Sequence, residues 1–356
     1  QTSYWLDDLY TAASEGQLPG TWRLGNRPNL TQMHAVAVKH ISDDMVRARL
    51  LDDVSKAKAL TVNASAAGVR VHTLPARPKD IEDDGAFHYA VLGPSAASES
   101  GKPSAEAIRF LDETTEPDRP RVYRNSVLLL VPSKDGLELA MARVGDYIAW
   151  EIVREDIKRQ QKDGNVDPAR AQTLQINIDK AKGRIPEAIK QAYCIVVTVS
   201  EKDEVQAFKI TITEEPHFNI VKGDKRSRVQ DTAITAEALL PDGPYNLWRP
   251  GETSRRVKDL AGAFAQLPHL PKMLKASAIL DTLMDGCEKG SFVLRLTRPD
   301  GTSRTWWMSQ PDENALNDSA LELVLPGGAE LGELSPALLA PKILPSLWPT
   351  EEITAK

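Results

Sequence analysis

A run of five apolar residues, Val127 to Val131, constrains the fold of this chain more than any other feature. Its length fits a β-strand and falls far short of the roughly 18 apolar residues of a membrane span. Pro132 ends the run, and apolar residues at helical spacing follow over 136–150. Similar strand-like segments at 69–74 and 88–92 precede it. Because strands alternate with helices, we predict an α/β fold with a mostly parallel sheet covered by helices.

The domain organisation follows from length and from changes in composition. A chain of 356 residues fits two or three domains. We predict a helical lid-like segment at 1–61, an α/β unit at 62–230, a winged-helix-like unit at 231–310 and a Pro/Leu-rich tail at 311–356. Within the α/β unit, charged sequence with helical periodicity predicts a helical hairpin insertion at 151–192.

The winged-helix interpretation depends on the order of elements in the third segment. Helices are predicted over 253–266 and 272–285, with a turn between them. A hairpin is predicted next, because Asp300 and Gly301 lie between two alternating runs. In a winged helix the second helix enters the DNA major groove and the hairpin touches the backbone. The same fold can also serve for packing inside a larger assembly.

Basic residues are concentrated in this part of an acidic chain. The whole chain carries a net charge of −6, whereas residues 249–304 carry about +4. This difference makes double-stranded DNA a possible partner. The candidates for DNA contact are Arg255, Arg256, Lys272, Lys275, Arg298 and Arg304. The adjacent indoles of Trp306 and Trp307 are instead candidates for docking to another protein, since they offer a large apolar surface.

Sequence motifs for catalysis give no assignment. The segment 93–104 lies between a predicted strand and a helix, as a phosphate-binding loop does. It has Ala96 in place of the first P-loop glycine and Pro103 in place of the hydroxyl residue, so we expect a surface loop. The histidines form no metal pair at helical spacing, and we interpret His72 and His88 as structural. No catalytic residue, metal or cofactor is therefore assigned to this chain.

Cysteine usage and the first residue bear on the cellular setting. Cys194 and Cys287 cannot staple a chain of this length, which favours buried thiols and a reducing cytoplasm. No apolar stretch is long enough to span a bilayer, so no membrane partner is expected. Gln1 is not Met, and together with the cysteine usage this favours a fragment of a longer chain.

Several segments together resemble one protein family. They are RPNLTQMHAVAVKHI, VRVHTLPARPKDI, FHYAVLGPS, RVYRNSVLLLVPSKDGLELA with YIAWEIV, and LPHLPKMLKASAILDTLMDGCEKGSFVLRL. Over residues 22–308 the chain resembles the C-terminal half of large AAA+-type P-loop ATPases catalogued as domain of unknown function 499. It is similar to the large ATPase of BREX-type phage-defence islands. The resemblance implies a parent ATPase that uses ATP and Mg²⁺, with its Walker motifs upstream, and other subunits of a DNA-directed defence complex as partners.

The resemblance also gives candidates for contact with nucleotide or with a neighbouring subunit. Arg121, Arg124 and Asn125 precede the run Val127–Val131, where an arginine could reach a phosphate as a finger. The alternative is that Arg124 pairs with a local carboxylate and Asn125 caps a turn.

The expected function is that of a non-catalytic C-terminal part of a P-loop ATPase. It would combine a companion α/β domain with a winged helix that docks on DNA or on a partner. By itself it is expected not to hydrolyse ATP. Two alternatives stay open: a stand-alone DNA-binding module, and a pure assembly module that binds itself or another subunit.

Overall fold

The computed structural model describes residues 6–8, 22–24, 29–114, 119–160, 168–275 and 277–325. It confirms an α/β protein, and its buried apolar residues form two main hydrophobic cores. Strands β1 (Leu6–Asp8) and β2 (Trp22–Leu24) pair antiparallel at the N-terminal end. The rest of the predicted lid-like segment before residue 29, and the predicted tail after residue 325, lie outside the described residues.

Two helices precede the sheet, and side-chain caps define where they begin. Helix α1 (Leu30–His40) starts after Asn29, whose side chain accepts hydrogen bonds from the N–H groups of the first turn. Helix α2 (Asp43–Lys56) starts after Ser42, which accepts a hydrogen bond from the N–H of Met45. The acidic residues of the first turn of α2 add a favourable interaction with the helix dipole.

A five-stranded sheet forms the centre of the first core. Its strands are β3 (Arg70–Thr73), β4 (His88–Val91), β5 (Val127–Val131), β6 (Ile195–Val199) and β7 (Val205–Lys209), adjacent in that order. Helix α3 (Ala105–Asp112) connects β4 to β5. All five residues of β5 are buried, as its continuous apolar sequence predicts. Strands β3, β4 and β5 run parallel, whereas β6 and β7 each pair antiparallel with their neighbour.

The sheet is therefore mixed and not mostly parallel, and the two helices between β5 and β6 explain why. Helix α4 (Lys134–Gln160) has 27 residues and α5 (Pro168–Ala192) has 25, so one leads away from the sheet and the other returns. The N–H of Ser133 donates to the carbonyl of Ala192 at 2.8 Å, which joins the start of α4 to the end of α5. Since the chain returns to the same end of the sheet that it left after β5, β6 must run antiparallel to β5.

Helix α4 also differs from the prediction of a helix ending at residue 150 and a separate hairpin at 151–192. It continues without a break to Gln160, because Trp150, Val153 and Ile157 extend its buried face at helical spacing. The separate hairpin insertion is not confirmed. Helices α4 and α5 pack along each other, and their connection at 161–167 lies outside the described residues.

Phe218, Val221 and Val229, near the start of the C-terminal half, pack against the first core, whereas most later elements of this half surround the second core. The described helices and strands of this half follow β7. They are α6 (His217–Gly223), β8 (Val229–Gln230), β9 (Ser254–Arg256), α7 (Val257–Gln266), β10 (Lys272–Met273), α8 (Ser277–Glu288), β11 (Val293–Thr297), β12 (Ser303–Trp306), α9 (Glu313–Leu316) and β13 (Leu321–Val324). Four of the strands form an antiparallel sheet in the order β12-β11-β13-β9. Residues of α7, α8 and one face of this sheet, together with residues of the 234–247 segment and α9, form the buried cluster.

The winged helix predicted for this half is not confirmed, although two helices and a hairpin occur in the predicted order. Residues 254–256 form strand β9, so the first helix begins at Val257 and not at residue 253. The hairpin β11–β12 is confirmed, and Gly301 in its turn has a positive φ of 82°. The second helix was predicted to begin at Lys272 but begins at Ser277. Lys272 lies instead in the two-residue strand β10, which pairs parallel with β8.

Among the described helices, none combines the length and the apolar character that crossing a membrane requires.

Candidate functional site

The Arg121 guanidinium is buried and is used inside the protein. Its two terminal nitrogens donate four hydrogen bonds of 3.1 Å, to the carbonyls of Pro78, Ile81, Glu82 and Glu113. The side chain thereby ties the loop before β4 to the end of α3. Only 3% of Arg121 is exposed, so the prediction that it faces a nucleotide or another subunit is wrong.

Arg124 follows the alternative that the sequence left open. Its Nη2 lies 2.7 Å from a carboxylate oxygen of Asp112, and its Nη1 lies 2.8 Å from one of Asp203. The guanidinium therefore joins α3 to the β6–β7 turn. Its pairing with local carboxylates is confirmed.

Asn125 and Lys272 form a buried polar contact between the two cores, which we call the Asn125–Lys272 joint. The Asn125 amide donates to the carbonyls of Phe264 and Leu270 at 2.8 and 3.1 Å. Its Oδ1 accepts from the Lys272 ammonium at 2.6 Å. The same ammonium donates to the carbonyls of Asn125 and Val199, each at 3.2 Å. Three acceptors match the three N–H donors of a lysine.

The joint overturns two predictions. Both side chains have no exposed surface, so Asn125 cannot face a nucleotide and Lys272 cannot contact DNA. Asn125 also caps carbonyls of a distant segment, not of its own turn. Burial lowers the pKa of Lys272 well below its usual value, and the charges of Arg228 and Arg124 lower it further.

The other predicted DNA contacts are spread over the C-terminal unit. Arg255 and Arg256 lie on edge strand β9, and Arg304 lies on the opposite edge strand, β12. Arg298 is exposed at the start of the hairpin turn. Lys275 is exposed before α8. It lines a groove of about 430 Å³ between the five-stranded sheet unit and the C-terminal unit. The structure does not bring these residues together on one helix, and DNA contact by them stays a prediction.

Trp306 and Trp307 are buried within the chain. Trp306 belongs to the second core, and the Arg304 guanidinium lies over its ring at 4.9 Å from the centroid. The Trp307 indole N–H donates to the carbonyl of Gly290 at 3.0 Å. The prediction that this pair forms a docking surface is therefore wrong, because internal packing covers it.

A second polar group lies on the edge of the five-stranded sheet. Parallel pairing of β3 and β4 sets Arg70 opposite His88 and His72 opposite Ala90, so the two imidazoles share one face. His72 Nε2 lies 2.9 Å from His88 Nδ1. A carboxylate oxygen of Glu82, in the loop before β4, lies 3.8 and 3.9 Å from these nitrogens. We call His72, Glu82 and His88 the histidine–glutamate cluster.

Asp84 supports this cluster from behind. Its Oδ1 lies 3.1 Å from His88 Nε2 and accepts a hydrogen bond from the N–H of Ala86. Its other oxygen pairs with Arg70. Burial lowers the pKa of His88, although the hydrogen bond to Asp84 acts in the opposite direction. Burial and the neighbouring imidazole of His88 lower the pKa of His72, so both rings favour the neutral form.

Family models, curated proteins and solved structures give no match.

The sequence held a signal for the cluster that helical spacing does not reveal. His72 and His88 lie 16 residues apart, in two segments that the sequence correctly predicts as strands. Their meeting depends on the register of the two strands, which the intervening loop sets. The acidic triplet 82–84 just before β4 is the additional signal, since it places carboxylates beside the first residue of that strand.

Proposed function

We propose that this chain is a non-catalytic module of a large P-loop ATPase in a DNA-directed anti-phage defence system. Its five-stranded sheet serves as a companion domain, and its C-terminal unit serves as a winged-helix-like dock for DNA or for another subunit. The sequence resemblance to the family of domain of unknown function 499 motivates the proposal. ATP and Mg²⁺ belong to the parent ATPase, not to this segment.

The Asn125–Lys272 joint is the observation that supports a non-catalytic role best. Of the three residues that the resemblance offered for contact with a nucleotide, Asn125 instead fixes one core on the other. Arg121 and Arg124 instead join elements within the five-stranded sheet unit. Asn125 and Lys272 have no exposed surface, and Arg121 has almost none. A joint of this kind suits a module that keeps a docking surface in a fixed orientation.

Double-stranded DNA is the partner that the charge distribution favours. Arg256, Lys275 and Arg298 are exposed on the basic segment of an otherwise acidic chain. The hairpin turn with Arg298 corresponds to the wing, which in winged helices contacts the sugar-phosphate backbone. Assembly with another protein is the alternative, but burial of Trp306 and Trp307 removes the argument that the sequence offered for it.

Two measurements on the 356-residue chain test the two parts of the proposal. The non-catalytic role predicts no ATP hydrolysis above background. ATPase activity that Lys102→Ala abolishes would refute it, because Lys102 is the lysine of the only segment that resembles a P-loop.

DNA docking is tested by titrating a short duplex at two salt concentrations. We expect binding that weakens steeply with salt, because neutralised phosphates release counterions. Reversal of Arg256, Lys275 and Arg298 to Glu should weaken binding at least about tenfold and reduce the salt dependence. Reversal of three exposed lysines of the first unit, Lys79, Lys182 and Lys202, is the control with the same change in net charge. Equal losses in both triple variants, or no binding at low salt, would contradict a specific DNA dock.

A further inference from the structure

The histidine–glutamate cluster carries an inference that is independent of the proposed function. We propose that it binds one divalent transition-metal ion, best matched by Zn²⁺, through His72 Nε2, His88 Nδ1 and Glu82 Oε2. The three ligands come from β3, from the loop before β4 and from β4 itself. Two imidazoles and one carboxylate form a donor set that zinc uses in proteins.

The distances between the ligand atoms fit an ion without movement of the backbone. The three atoms form a triangle with sides of 2.9, 3.8 and 3.9 Å. Its circumradius is about 2.1 Å, so one point lies at a Zn–N or Zn–O bond length from all three atoms. Tetrahedral coordination at these bond lengths needs ligand separations of about 3.4 Å, so small side-chain rotations that open the short side and close the two longer sides complete the fit.

The tautomer that the site needs is set before any ion arrives. Asp84 Oδ1 accepts from His88 Nε2, which leaves His88 Nδ1 as an acceptor on the side of the cluster. In the metal-free chain this acceptor meets the N–H of His72. A metal ion takes the place of that shared proton, and His72 then carries its proton on Nδ1. A carboxylate behind a ligating imidazole is the usual second partner in protein zinc sites.

Exposure leaves a route to the site and room for a further ligand. The side chains of His88 and His72 are 1% and 14% exposed, whereas that of Glu82 is 58% exposed. An ion can therefore enter from the side of Glu82, where the fourth position is open to water. The local charge also favours a cation. The three carboxylates at 82–84 outnumber the two neighbouring guanidinium groups, those of Arg70 and Arg121.

The loop that carries Glu82 is held in place independently of the cluster. Arg121 donates to the carbonyls of Ile81 and Glu82. The carboxylate of Asp83 accepts from the N–H groups of Val122 and Tyr123, each at 2.9 Å. Because the loop is anchored on both sides of Glu82, less ordering is needed when an ion binds.

The test is a competition titration of the metal-free chain with ZnCl₂ against a chromophoric chelator near neutral pH. We expect one equivalent of zinc to bind. His72→Gln and Glu82→Gln should each weaken binding at least about tenfold, and Asp84→Asn about 10- to 100-fold. His40→Gln, at the exposed end of α1, is the matched histidine control and should bind as the unchanged chain does.

Two results would overturn the proposal. One is that the unchanged chain does not compete with the chelator. The other is that the variants retain full affinity, which would mean that zinc binds elsewhere. Glu82→Gln alters a mostly exposed side chain, so it gives a decisive answer even if His72→Gln does not fold. In the chain loaded with Co²⁺, loss of the visible absorption bands in Glu82→Gln but not in His40→Gln would independently support these ligands.

Discussion

The Asn125–Lys272 joint lies between the two cores and the histidine–glutamate cluster lies on the edge of the five-stranded sheet, and the two satisfy their polar atoms in opposite ways. In the joint, the amide and the ammonium are paired with carbonyls and with each other, and no surface is exposed. In the cluster, Glu82 approaches two imidazoles without a hydrogen bond and stays open to water. The comparison indicates that the joint stabilises the fold, whereas the cluster retains capacity for a ligand.

The largest expected effect comes from emptying the joint. Lys272→Met leaves three buried acceptors without a donor, and we expect it to lower the free energy of unfolding by at least about 3 kcal/mol. Urea denaturation measures this loss. Lys275→Met, the same change at an exposed lysine three residues away, should stay within about 0.5 kcal/mol of the unchanged chain.

A double-mutant cycle sharpens this prediction. If Asn125 and Lys272 act as one unit, the loss in Asn125→Leu/Lys272→Met will be smaller than the sum of the two single losses. Additive losses, or a Lys272→Met variant as stable as the unchanged chain, would contradict a joint.

The next largest effect is expected at Arg121, which connects the fold to the cluster. Arg121→Leu removes the donor of four carbonyls, and we expect it to lower the free energy of unfolding by about 2–4 kcal/mol. Because it also releases the loop that carries Glu82, zinc binding should weaken as well. Arg119→Leu, at an exposed arginine two residues earlier, is the control for both measurements. An Arg121→Leu variant that loses stability but keeps full zinc affinity would show that Arg121 does not position Glu82 for zinc binding.

The smallest effects concern pH, and the two regions are expected to act in different ranges. Burial lowers the pKa of His72 and His88, so the unfolded chain binds more protons than the native chain below about pH 6.5. Stability should therefore fall as the pH drops through this value. Buried His217 adds to the same slope, so His72→Gln should reduce the slope but not remove it. Equal slopes in His72→Gln and the control His40→Gln would contradict this.

Lys272 is expected to act on the alkaline side. Its pKa in the native chain lies well below the usual lysine value, so the unfolded chain binds more protons as the pH approaches about 10.4. Stability should therefore rise with pH in this range for the unchanged chain and not for Lys272→Met. Chemical denaturation at a series of pH values measures both slopes. A Lys272→Met variant with an unchanged alkaline slope would argue against a buried lysine.

Local sequence patterns predicted much of the fold, because they depend on neighbouring residues. The apolar run of β5 and the Asp300-Gly301 hairpin each follow from a few adjacent residues, and both are confirmed. The mixed sheet did not follow, because it depends on the matched lengths of two helices. The predicted start of α8 at Lys272 was also wrong, because the pairing of β10 with β8 holds Lys272 outside the helix.

The candidate sites were harder to predict, because each depends on contacts that are distant in sequence. Lys272 is a charged residue in a basic segment, and only its distant contact with Asn125 shows that it is buried. Tryptophan pairs can be exposed or internal, and the sequence does not distinguish the two for Trp306 and Trp307. The pairing of Arg124 could be anticipated as an alternative, because acidic residues are common near any surface arginine.

Helices α4 and α5 leave the sheet and return to it at one place, and this has a consequence for how the fold can vary. A helix of 27 residues is about 40 Å long, whereas a strand of five residues spans only about 17 Å. The sheet therefore fixes only the end of the pair where Ser133 meets Ala192. Whole turns could be added to or removed from both helices together without changing the strand register. The length of this helix pair can therefore change in evolution while the pairing of β5 with β6 stays the same.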